Sequence, residues 1–168
     1  MNLTEAIRAR RSIRKFKKGA EIPEENIKAM LEAAMLAPSA CNTRPWDFTV
    51  VRSETVRREI ARVHPYARMV ADASIAVVVS ARPDLLPGDL PEYWPQDCAA
   101  ATENLLLQAV ALGYGAVWCG VYPQKERVES IRKILGGDSV PFNVIAVGVP
   151  DESPKARGFY DPGRVRII

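Results

Sequence analysis

The alternation of strand-like and helix-like segments predicts an α/β layer fold for this chain. Runs of β-branched apolar residues, which are typical of buried strands, are separated by segments whose apolar residues recur at helical spacing. Such alternation usually produces a sheet with helices packed on it. The chain has 168 residues, of which 48% are hydrophobic and 26% are charged. That size allows one substantial core, so we expect a single domain over residues 1–168.

The first half of the chain carries signals for where its helices begin and end. Asn2 or Thr4 can cap the first helix, and Ser53 a later one, because their side-chain oxygens accept backbone N–H groups. Pro23 suits the first turn of a helix, and Pro38 ends that helix because the residue before a proline avoids helical angles. The predicted elements are, in chain order, a helix up to about residue 10, a helix from 22–25 to 37, a strand over 47–52, a helix from 54 to about 63 and a strand over 74–81.

The second half begins with a long proline-rich loop, Arg82 to Pro95. The predicted helix over 96–112 is apolar on nearly all sides, so it should be buried in a core or at a subunit interface. The tail from Pro150 ends in the apolar residues 165–168, which could pair with a neighbouring subunit or with the chain's own sheet. The elements predicted between this helix and the tail are a strand over 116–121, a helix over 123–135 and a strand over 143–149.

The composition argues against several classes of protein. Cys41, Cys98 and Cys119 are far apart and form no CxxC pair, which argues against a disulfide framework and a zinc site. The single histidine, His64, lies in a predicted turn, and we do not expect it to be catalytic. No secretory signal or membrane-spanning apolar run is visible, so we expect a soluble, cytoplasmic protein. A net charge of +3 is too small to demand a polyanionic partner.

The common catalytic motifs are missing as well. The sequence has no GxSxG nucleophile turn, no phosphate-binding P-loop, no HExxH metal motif and no EF-hand loop. Gly113-Tyr114-Gly115 is better explained as a helix end than as a dinucleotide-binding turn. An enzyme with so few nucleophiles and bases would depend on a cofactor for its chemistry.

The residues richest in oxyanion-binding groups are Arg10–Phe16, called here the basic segment. It contains four cations and one serine in seven residues. Arginine offers a planar set of donors that matches phosphate, and a serine hydroxyl adds one more donor. We interpret the basic segment as a grip for the phosphate of a flavin mononucleotide (FMN). Two alternatives stay open, a solvated basic run at a helix end and a nucleic-acid contact, although only Phe16 provides an aromatic ring for base stacking.

Four blocks of the sequence resemble those of the nitroreductase family, in the family's order and over essentially the whole chain. They read RRSIRKF at 10–16, APSACNTRPW at 37–46, ALGYGAVWCG at 111–120 and PKAR at 154–157. The resemblance implies an α+β fold in which helices flank a central, mostly antiparallel mixed sheet. It also implies an intertwined homodimer with two FMN sites at the dimer interface. This replaces the α/β sheet that the alternation of elements predicts.

The resemblance also implies a set of FMN-binding residues. Arg10 and Ser12 would hold the phosphate and ribityl side, and Arg14 would lie at the pyrimidine edge, where a cation favours reduced flavin. Pro38, Ser39 and Asn42 would reach the flavin from the partner subunit, Cys119 and Gly120 would pass beside the ring, and Lys155 and Arg157 would return to the phosphate. The complete cofactor-binding set is Arg10, Arg11, Ser12, Arg14, Pro38, Ser39, Ala40, Asn42, Cys119, Gly120, Lys155 and Arg157.

The activity that the resemblance implies is an FMN-dependent oxidoreductase. NAD(P)H would reduce the flavin, and a nitroaromatic, a quinone or a similar small acceptor would reoxidise it in a ping-pong sequence, with no obligatory catalytic side chain and no metal. Two positions depart from the family pattern: many relatives have glutamine where this chain has Arg44, and some have glutamate where it has Cys119. The loop from Arg82 to Pro95, with Tyr93 and Trp94, is either a lid over the flavin or a disordered loop. Alternative functions are flavin storage or sensing without turnover, and dehalogenase or flavin-modifying chemistry.

Overall fold

Four strands and five α-helices make up the regular structure of the described residues, which are 1–89, 93–155 and 158–168 of a computed structural model. Short 3₁₀ turns join several of them. The helices are α1 (Leu3–Ala9), α2 (Glu24–Met35), α3 (Glu54–Val63), α4 (Trp94–Ala111) and α5 (Lys125–Leu135). The strands are β1 (Trp46–Val51), β2 (Ile75–Ala81), β3 (Gly115–Gly120) and β4 (Val140–Gly148).

The four strands form one sheet in the order β1-β2-β4-β3, and every pair of neighbours is antiparallel. Val78 of β2 lies opposite Thr49 of β1 on one side and Val144 of β4 on the other. A register shift between Val79 and Ser80 interrupts the β2–β4 ladder. The mostly antiparallel sheet with flanking helices that the resemblance implies is therefore confirmed. The α/β layer fold predicted from the alternation of elements is wrong.

The reason for this error is that alternation reports the order of elements but not the direction of strands. A helix between two strands usually indicates a parallel pair. Here α3 connects β1 to its antiparallel neighbour β2, and α5 connects β3 to its antiparallel neighbour β4. Each connection therefore begins and ends at the same end of the sheet. Apolar periodicity does not indicate this, because it reports only whether a segment is a helix or a strand.

Each face of the sheet is covered by its own apolar cluster. Alternate side chains of a strand point to opposite faces, so β2 contributes Val77 to one cluster and Val78 to the other. The first cluster also includes residues of α2 and α4, and the second includes residues of α3 and α5. All of β2 is buried, because it lies inside the sheet and between both layers of helices.

The basic segment runs along the outer side of β3. Ile13 N–H donates to the carbonyl of Ala116 at 3.0 Å, and Ser12 forms an isolated parallel bridge with the same residue. The approach is close: a Cβ built on Gly115 would lie 2.7 Å from Ile13 Cγ2, inside van der Waals contact. Glycine at 115 therefore allows the basic segment to pack against the edge of the sheet.

Several predicted boundaries differ from the observed ones. Helix α4 begins at Trp94, inside the predicted loop, and α5 begins at Lys125, so Pro123 lies in the preceding turn rather than in the helix. Strand β4 begins at Val140, three residues before the predicted start at residue 143. The described tail, residues 158–168, joins no strand of the sheet, so pairing with the chain's own sheet is wrong.

In the described part of the chain, no helix combines the length and the apolar character needed to cross a bilayer.

Candidate functional site

The basic segment lines a cavity of about 540 Å³, which is within the usual size range of small-molecule sites. This cavity, called here the phosphate cavity, brings together side chains that are far apart in the sequence. Lys155 and Pro154 come from the segment after β4, and Gly158 closes the same wall. The residues of the predicted cofactor-binding set that line it are Arg10, Arg11, Ser12, Arg14 and Lys155.

Two arginines of the basic segment are held by contacts near the cavity. The Nε atom of Arg10 lies 3.3 Å from Oε1 of Glu103, on α4. Arg11 donates from Nη1 to the carbonyl of Arg10, while its buried Nε has no hydrogen-bond partner among the described residues. A buried donor without an acceptor costs about 1–3 kcal/mol, and an anion in the cavity would relieve such a cost.

The one acidic residue in the described lining of the phosphate cavity is Glu152. Its Oε1 accepts hydrogen bonds from the backbone N–H groups of Arg14 and Lys15, the latter at 3.1 Å. The carboxylate therefore fixes the backbone of the basic segment, and the side chain of Arg14 stays exposed. The side chain of Arg14 also lines a second cavity.

The second cavity has a volume of about 440 Å³ and lies at the end of β3. We call it the arginine cavity, because Arg14, Arg68 and Arg127 line it together with Cys119 and Gly120. A Cβ built on Gly120 meets no heavy atom within 4 Å. The backbone of Gly120 therefore borders open space in which a planar ligand could lie.

Cys119 packs inside the protein rather than acting as a reactive thiol. Its Sγ lies 3.8 Å from Sδ of Met69 and 3.6 Å from the carbonyl oxygen of Tyr66. Burial raises the pKa of the Cys119 thiol to about 11, despite the nearby charge of Arg14. The thiol is thus protonated at neutral pH, which suits a small packing residue rather than a nucleophile.

His64 has a structural role beside the arginine cavity that the sequence did not reveal. Its side chain is 1% exposed, and Nε2 lies 2.8 Å from the carbonyl oxygen of Gly120. Nδ1 accepts the backbone N–H of Tyr66 at 3.2 Å, so the neutral ring donates from Nε2. Burial lowers the pKa of His64 below its ordinary value, which favours this neutral form. His64 therefore fixes the end of β3 to the loop after α3.

The second of the four blocks, at 37–46, forms a tight loop that lines neither cavity. Pro38, Ser39, Ala40 and Asn42 line neither the phosphate cavity nor the arginine cavity of the same chain, as far as the described residues show. Ser39 Oγ accepts the N–H of Arg44 at 2.9 Å, and Arg44 Nε donates to Asn42 Oδ1 at 3.2 Å. This internal bond gives Arg44 a contact within the loop.

Asp97 supports this loop from α4. Its side chain is 5% exposed, and Oδ1 accepts the N–H of Ala40 at 3.0 Å. The other oxygen, Oδ2, is buried without a hydrogen-bond partner among the described residues. Burial raises the pKa of the Asp97 carboxyl, while the hydrogen bond from Ala40 opposes that rise.

A comparison with models of protein families identifies the family to which this chain belongs. The model of the nitroreductase family matches residues 7–65 and 62–149, which is most of the chain. The chain belongs to the nitroreductase family. The family assignment made from the four sequence blocks is therefore confirmed.

Named relatives of this nitroreductase-family chain match it over nearly its full length. A protein from Methanothermobacter thermautotrophicus, provisionally named NADH dehydrogenase/NAD(P)H nitroreductase, is 46% identical over 99% of this chain and 87% of its own. A crystal structure from Parabacteroides distasonis with the same provisional name is 35% identical, with a TM-score of 0.92 over 99% of this chain and 98% of its own. A provisionally named nitroreductase from Desulfovibrio desulfuricans, crystallised with FMN, is 27% identical, with a TM-score of 0.83 over 98% and 95%.

The residues present fit an FMN molecule in chemical terms. Four cations and one hydroxyl around a single cavity suit a phosphate, and the buried Nε of Arg11 lacks an acceptor among the described residues. Arg14 lines both cavities, so the cation-rich phosphate cavity and the open space at Gly120 lie on either side of one side chain. Arg157, also predicted to reach the phosphate, lies outside the described residues.

The predicted lid receives no support from Trp94. The Trp94 side chain is 7% exposed, and its ring centroid lies 4.5 Å from that of Tyr122 and 6.1 Å from that of Phe142. It belongs to the core as the first residue of α4 and not to a movable cover. Tyr93 is 45% exposed, and residues 90–92 of the predicted lid lie outside the described residues.

The described residues offer no cluster of three or more histidine, cysteine or acidic side chains for a metal ion.

Phe16 is 5% exposed, so its ring is not available to stack on a nucleotide base.

Proposed function

We propose that this nitroreductase-family protein is an FMN-dependent oxidoreductase that passes reducing equivalents from NAD(P)H to a small acceptor such as a nitroaromatic or a quinone. The observation that carries the proposal is that Arg14 lines both the cation-rich phosphate cavity and the arginine cavity, in which Gly120 borders open space. FMN is the cofactor that the family match and the FMN-bound Desulfovibrio relative support. The reductant is supported by the names of the relatives.

Each wall of the site has its own task in this proposal. Arg10, Arg11, Ser12 and Lys155 bind the phosphate, because they surround one cavity with donors that match it. Arg14 places positive charge near the ring, and Gly120 leaves room for the ring. FMN, when bound, supplies the redox chemistry by accepting a hydride equivalent and passing electrons on.

The chain's own residues mainly bind and orient in this proposal. Among the described residues beside Gly120, Cys119 and His64 are poorly suited to proton transfer, because the thiol has a raised pKa and both ring nitrogens are already hydrogen-bonded. We propose a ping-pong order in which reductant and acceptor use the same open space at Gly120 in turn. The choice between substrates then depends on the groups around that space.

We also propose that two copies of the chain complete each site. The loop that carries Pro38, Ser39, Ala40 and Asn42 lines neither cavity of its own chain within the described parts, yet its conformation is fixed by internal hydrogen bonds. A fixed loop on an exposed surface suits a contact with a bound cofactor in a partner subunit. The whole chain would then act as one FMN-binding domain. Three cysteines that form no disulfide are consistent with a place in the cytoplasm.

The proposal is tested with the purified protein and its absorbance spectrum. A flavin spectrum that NADH or NADPH bleaches, and that a nitroaromatic or quinone restores, is the expected result. Colourless protein that does not bind added FMN would overturn the proposal. Bound flavin that neither nucleotide reduces would favour the storage or sensor function instead.

The role of Arg14 is tested with Arg14→Ala. We expect weaker FMN binding or slower reduction by NAD(P)H, because a cation near the ring stabilises negative charge on reduced flavin. The loss should be about 1.5–3 kcal/mol, or at least about tenfold in affinity or rate. Arg62→Gln, on the exposed last turn of α3, is the matched control. Unchanged affinity together with an unchanged reduction rate in Arg14→Ala would remove the assigned role.

A further inference from the structure

The arginine cavity has an unusual charge pattern for a site of its size. Three guanidinium groups line it, and its described lining contains no aspartate or glutamate. No ion pair within 4.0 Å involves Arg14, Arg68 or Arg127 in the parts of the chain that the structure describes. Arginines elsewhere do form such pairs, as in Arg52–Glu24, Arg58–Glu54 and Arg132–Glu129.

Two contacts hold the side chain of Arg127 in place, and neither of them is with a carboxylate. Its Nη1 donates to the carbonyl of Gly120 at 3.3 Å, and its guanidinium carbon lies 5.2 Å from the centroid of the Tyr66 ring. A guanidinium group has five N–H donors, so these two contacts leave several donors for a ligand. Because the guanidinium group is already ordered, less side-chain entropy is lost when a ligand binds.

Arg68 and Arg127 are separate from the proposed grip on the cofactor phosphate. Both line the arginine cavity and neither lines the phosphate cavity. The carbonyl of Gly120 already accepts a hydrogen bond from His64, so Arg127 is not needed to satisfy it. Two guanidinium groups without carboxylate partners at the mouth of a reaction site favour a negatively charged ligand.

We propose that the arginine cavity selects substrates that carry an anionic group, a carboxylate or a phosphate. The inference rests on the proposed function, because the anion would belong to one of its two substrates. It is either the 2′-phosphate of NADPH, which NADH lacks, or a carboxylate on the electron acceptor. Arg68 and Arg127 are the specificity-determining residues, and Arg14 adds charge at the boundary with the phosphate cavity.

The test compares matched substrates on the FMN-loaded protein. One arm compares kcat/KM for NADPH and NADH, and the other compares 4-nitrobenzoate with the neutral 4-nitrobenzyl alcohol. We expect the member with the additional anionic group, NADPH or 4-nitrobenzoate, to be preferred by about three- to tenfold in at least one arm, as for partly exposed charge-assisted contacts. The arm that shows the preference identifies the source of the anion. No preference in either arm would overturn the inference.

Variants then assign the preference to individual residues. Arg127→Gln and Arg68→Gln should each reduce the ratio of kcat/KM between the substrate with the additional anionic group and its matched partner, whereas Arg127→Lys should keep most of that ratio because the charge remains. Arg62→Gln, which changes an exposed arginine outside the cavity, should leave the ratio unchanged. An equal loss for both members of a pair in the glutamine variants would overturn the inference, since it would indicate a purely structural role.

A binding measurement separates this inference from the proposed function. Titration calorimetry with 4-nitrobenzoate and with adenosine 2′-phosphate needs no turnover. Binding should weaken as salt rises from about 0.01 M to about 1 M, where the screening length falls from roughly 30 Å to roughly 3 Å. Anion binding that Arg127→Gln abolishes would support the cavity even if FMN failed to bind. Binding that is insensitive to Arg127→Gln and Arg68→Gln would overturn it.

Discussion

At the scale of single residues, Gly120 separates the requirements of folding from those of cofactor binding. A Cβ at this position would enter open space, so nothing in the described fold requires glycine there. The proposed flavin site does require it, because the ring would occupy that space. A substitution at Gly120 therefore tests binding with little effect on the fold.

We predict that Gly120→Val leaves the thermal stability of the FMN-free protein within about 0.5 kcal/mol, as is usual for surface changes. Its affinity for FMN should fall by about tenfold or more, because overlap with a bound ring costs at least about 1–3 kcal/mol. Gly88→Val is a matched control, since its Cβ would also enter open space but far along the chain from the site. Differential scanning fluorimetry and FMN titration measure the two quantities. Equal FMN affinity in both variants would exclude Gly120 from the cofactor wall.

Residues that carry a linear motif were predictable, and residues that act through tertiary contacts were not. Arg10, Arg11, Ser12 and Arg14 lie within five positions of each other, so their shared chemistry is visible in the sequence. Arg68 and Arg127 each look like ordinary exposed helix or turn residues until the fold places them in one cavity. No local pattern indicates which charged side chains will lack a partner of opposite charge.

At the scale of elements, the loop between α2 and β1 depends on one carboxylate from α4. Three non-glycine residues of this loop adopt positive φ angles: 50° at Cys41, 55° at Asn42 and 51° at Arg44. Such angles persist only where surrounding contacts enforce them. Asp97, which accepts the N–H of Ala40, is one such contact, and its position in the first turn of α4 suits a negative charge.

We predict opposite outcomes for two substitutions of Asp97. Asp97→Asn keeps an acceptor for Ala40 N–H and removes a buried charge, whereas Asp97→Leu leaves that N–H without an acceptor. The leucine variant should lose about 1–3 kcal/mol of stability and bind FMN more weakly, while the asparagine variant should bind FMN normally. Denaturant unfolding and FMN titration distinguish them, and normal FMN binding by a folded leucine variant would contradict a positioning role.

The pH dependence of these variants follows from the raised pKa of Asp97. A carboxyl whose pKa is higher in the folded state favours folding below its unfolded value of 3.8 and loses that advantage as the pH rises. Because Asp97→Asn removes this buried charge, we expect it to stabilise the protein, most strongly near neutral pH, and the gain should vanish as the pH falls below 3.8. Unfolding curves at several pH values measure it, and a gain that grows on acidification would show the opposite sign.

The contact between the basic segment and the sheet is the second feature that belongs to the scale of elements. A Cβ on Gly148 would lie 2.9 Å from Cδ1 of Phe16 and 3.1 Å from the backbone nitrogen of Ser74. We predict that Gly148→Ala costs about 1–3 kcal/mol of stability by overpacking and also weakens FMN binding, because the basic segment must shift. Gly88→Ala is the control for both measurements. Loss of stability with unchanged FMN affinity would show that the segment's position does not govern the cofactor.

At the scale of the whole molecule, the family resemblance predicted what periodicity could not. The positions of most helices and strands follow from caps, prolines and apolar spacing, because those signals are local. The antiparallel direction of neighbouring strands depends on how each connection returns across the sheet, which is a property of the complete fold. The same holds for the proposed partner subunit, because it is inferred only once the loop at residues 38–42 is known to line neither cavity of its own chain.

We predict that the exposed end of the tail contributes to a dimer. Ile167 and Ile168 are 94% and 103% exposed, and burying one such side chain is worth about 1.5–3 kcal/mol. Deleting residues 165–168 should therefore weaken a dimer of 18.5 kDa chains by at least about tenfold in dissociation constant. Analytical ultracentrifugation measures it, with Arg166→Gln as the control. A truncated chain that dimerises as strongly as the full chain would exclude the tail from the interface.

The arrangement of residues 12–16 has one more consequence. The basic segment, which supplies cations to the phosphate cavity, also covers the outer edge of β3, through the hydrogen bond from Ile13 N–H to Ala116 and the bridge between Ser12 and Ala116. If the basic segment detached, backbone amide groups at the edge of β3 would lose their partners, and the cations of the segment would leave the phosphate cavity at the same time. Amide hydrogen exchange along β3 should therefore slow when FMN is added, and release of the cofactor should be the first step by which this border of the protein comes apart.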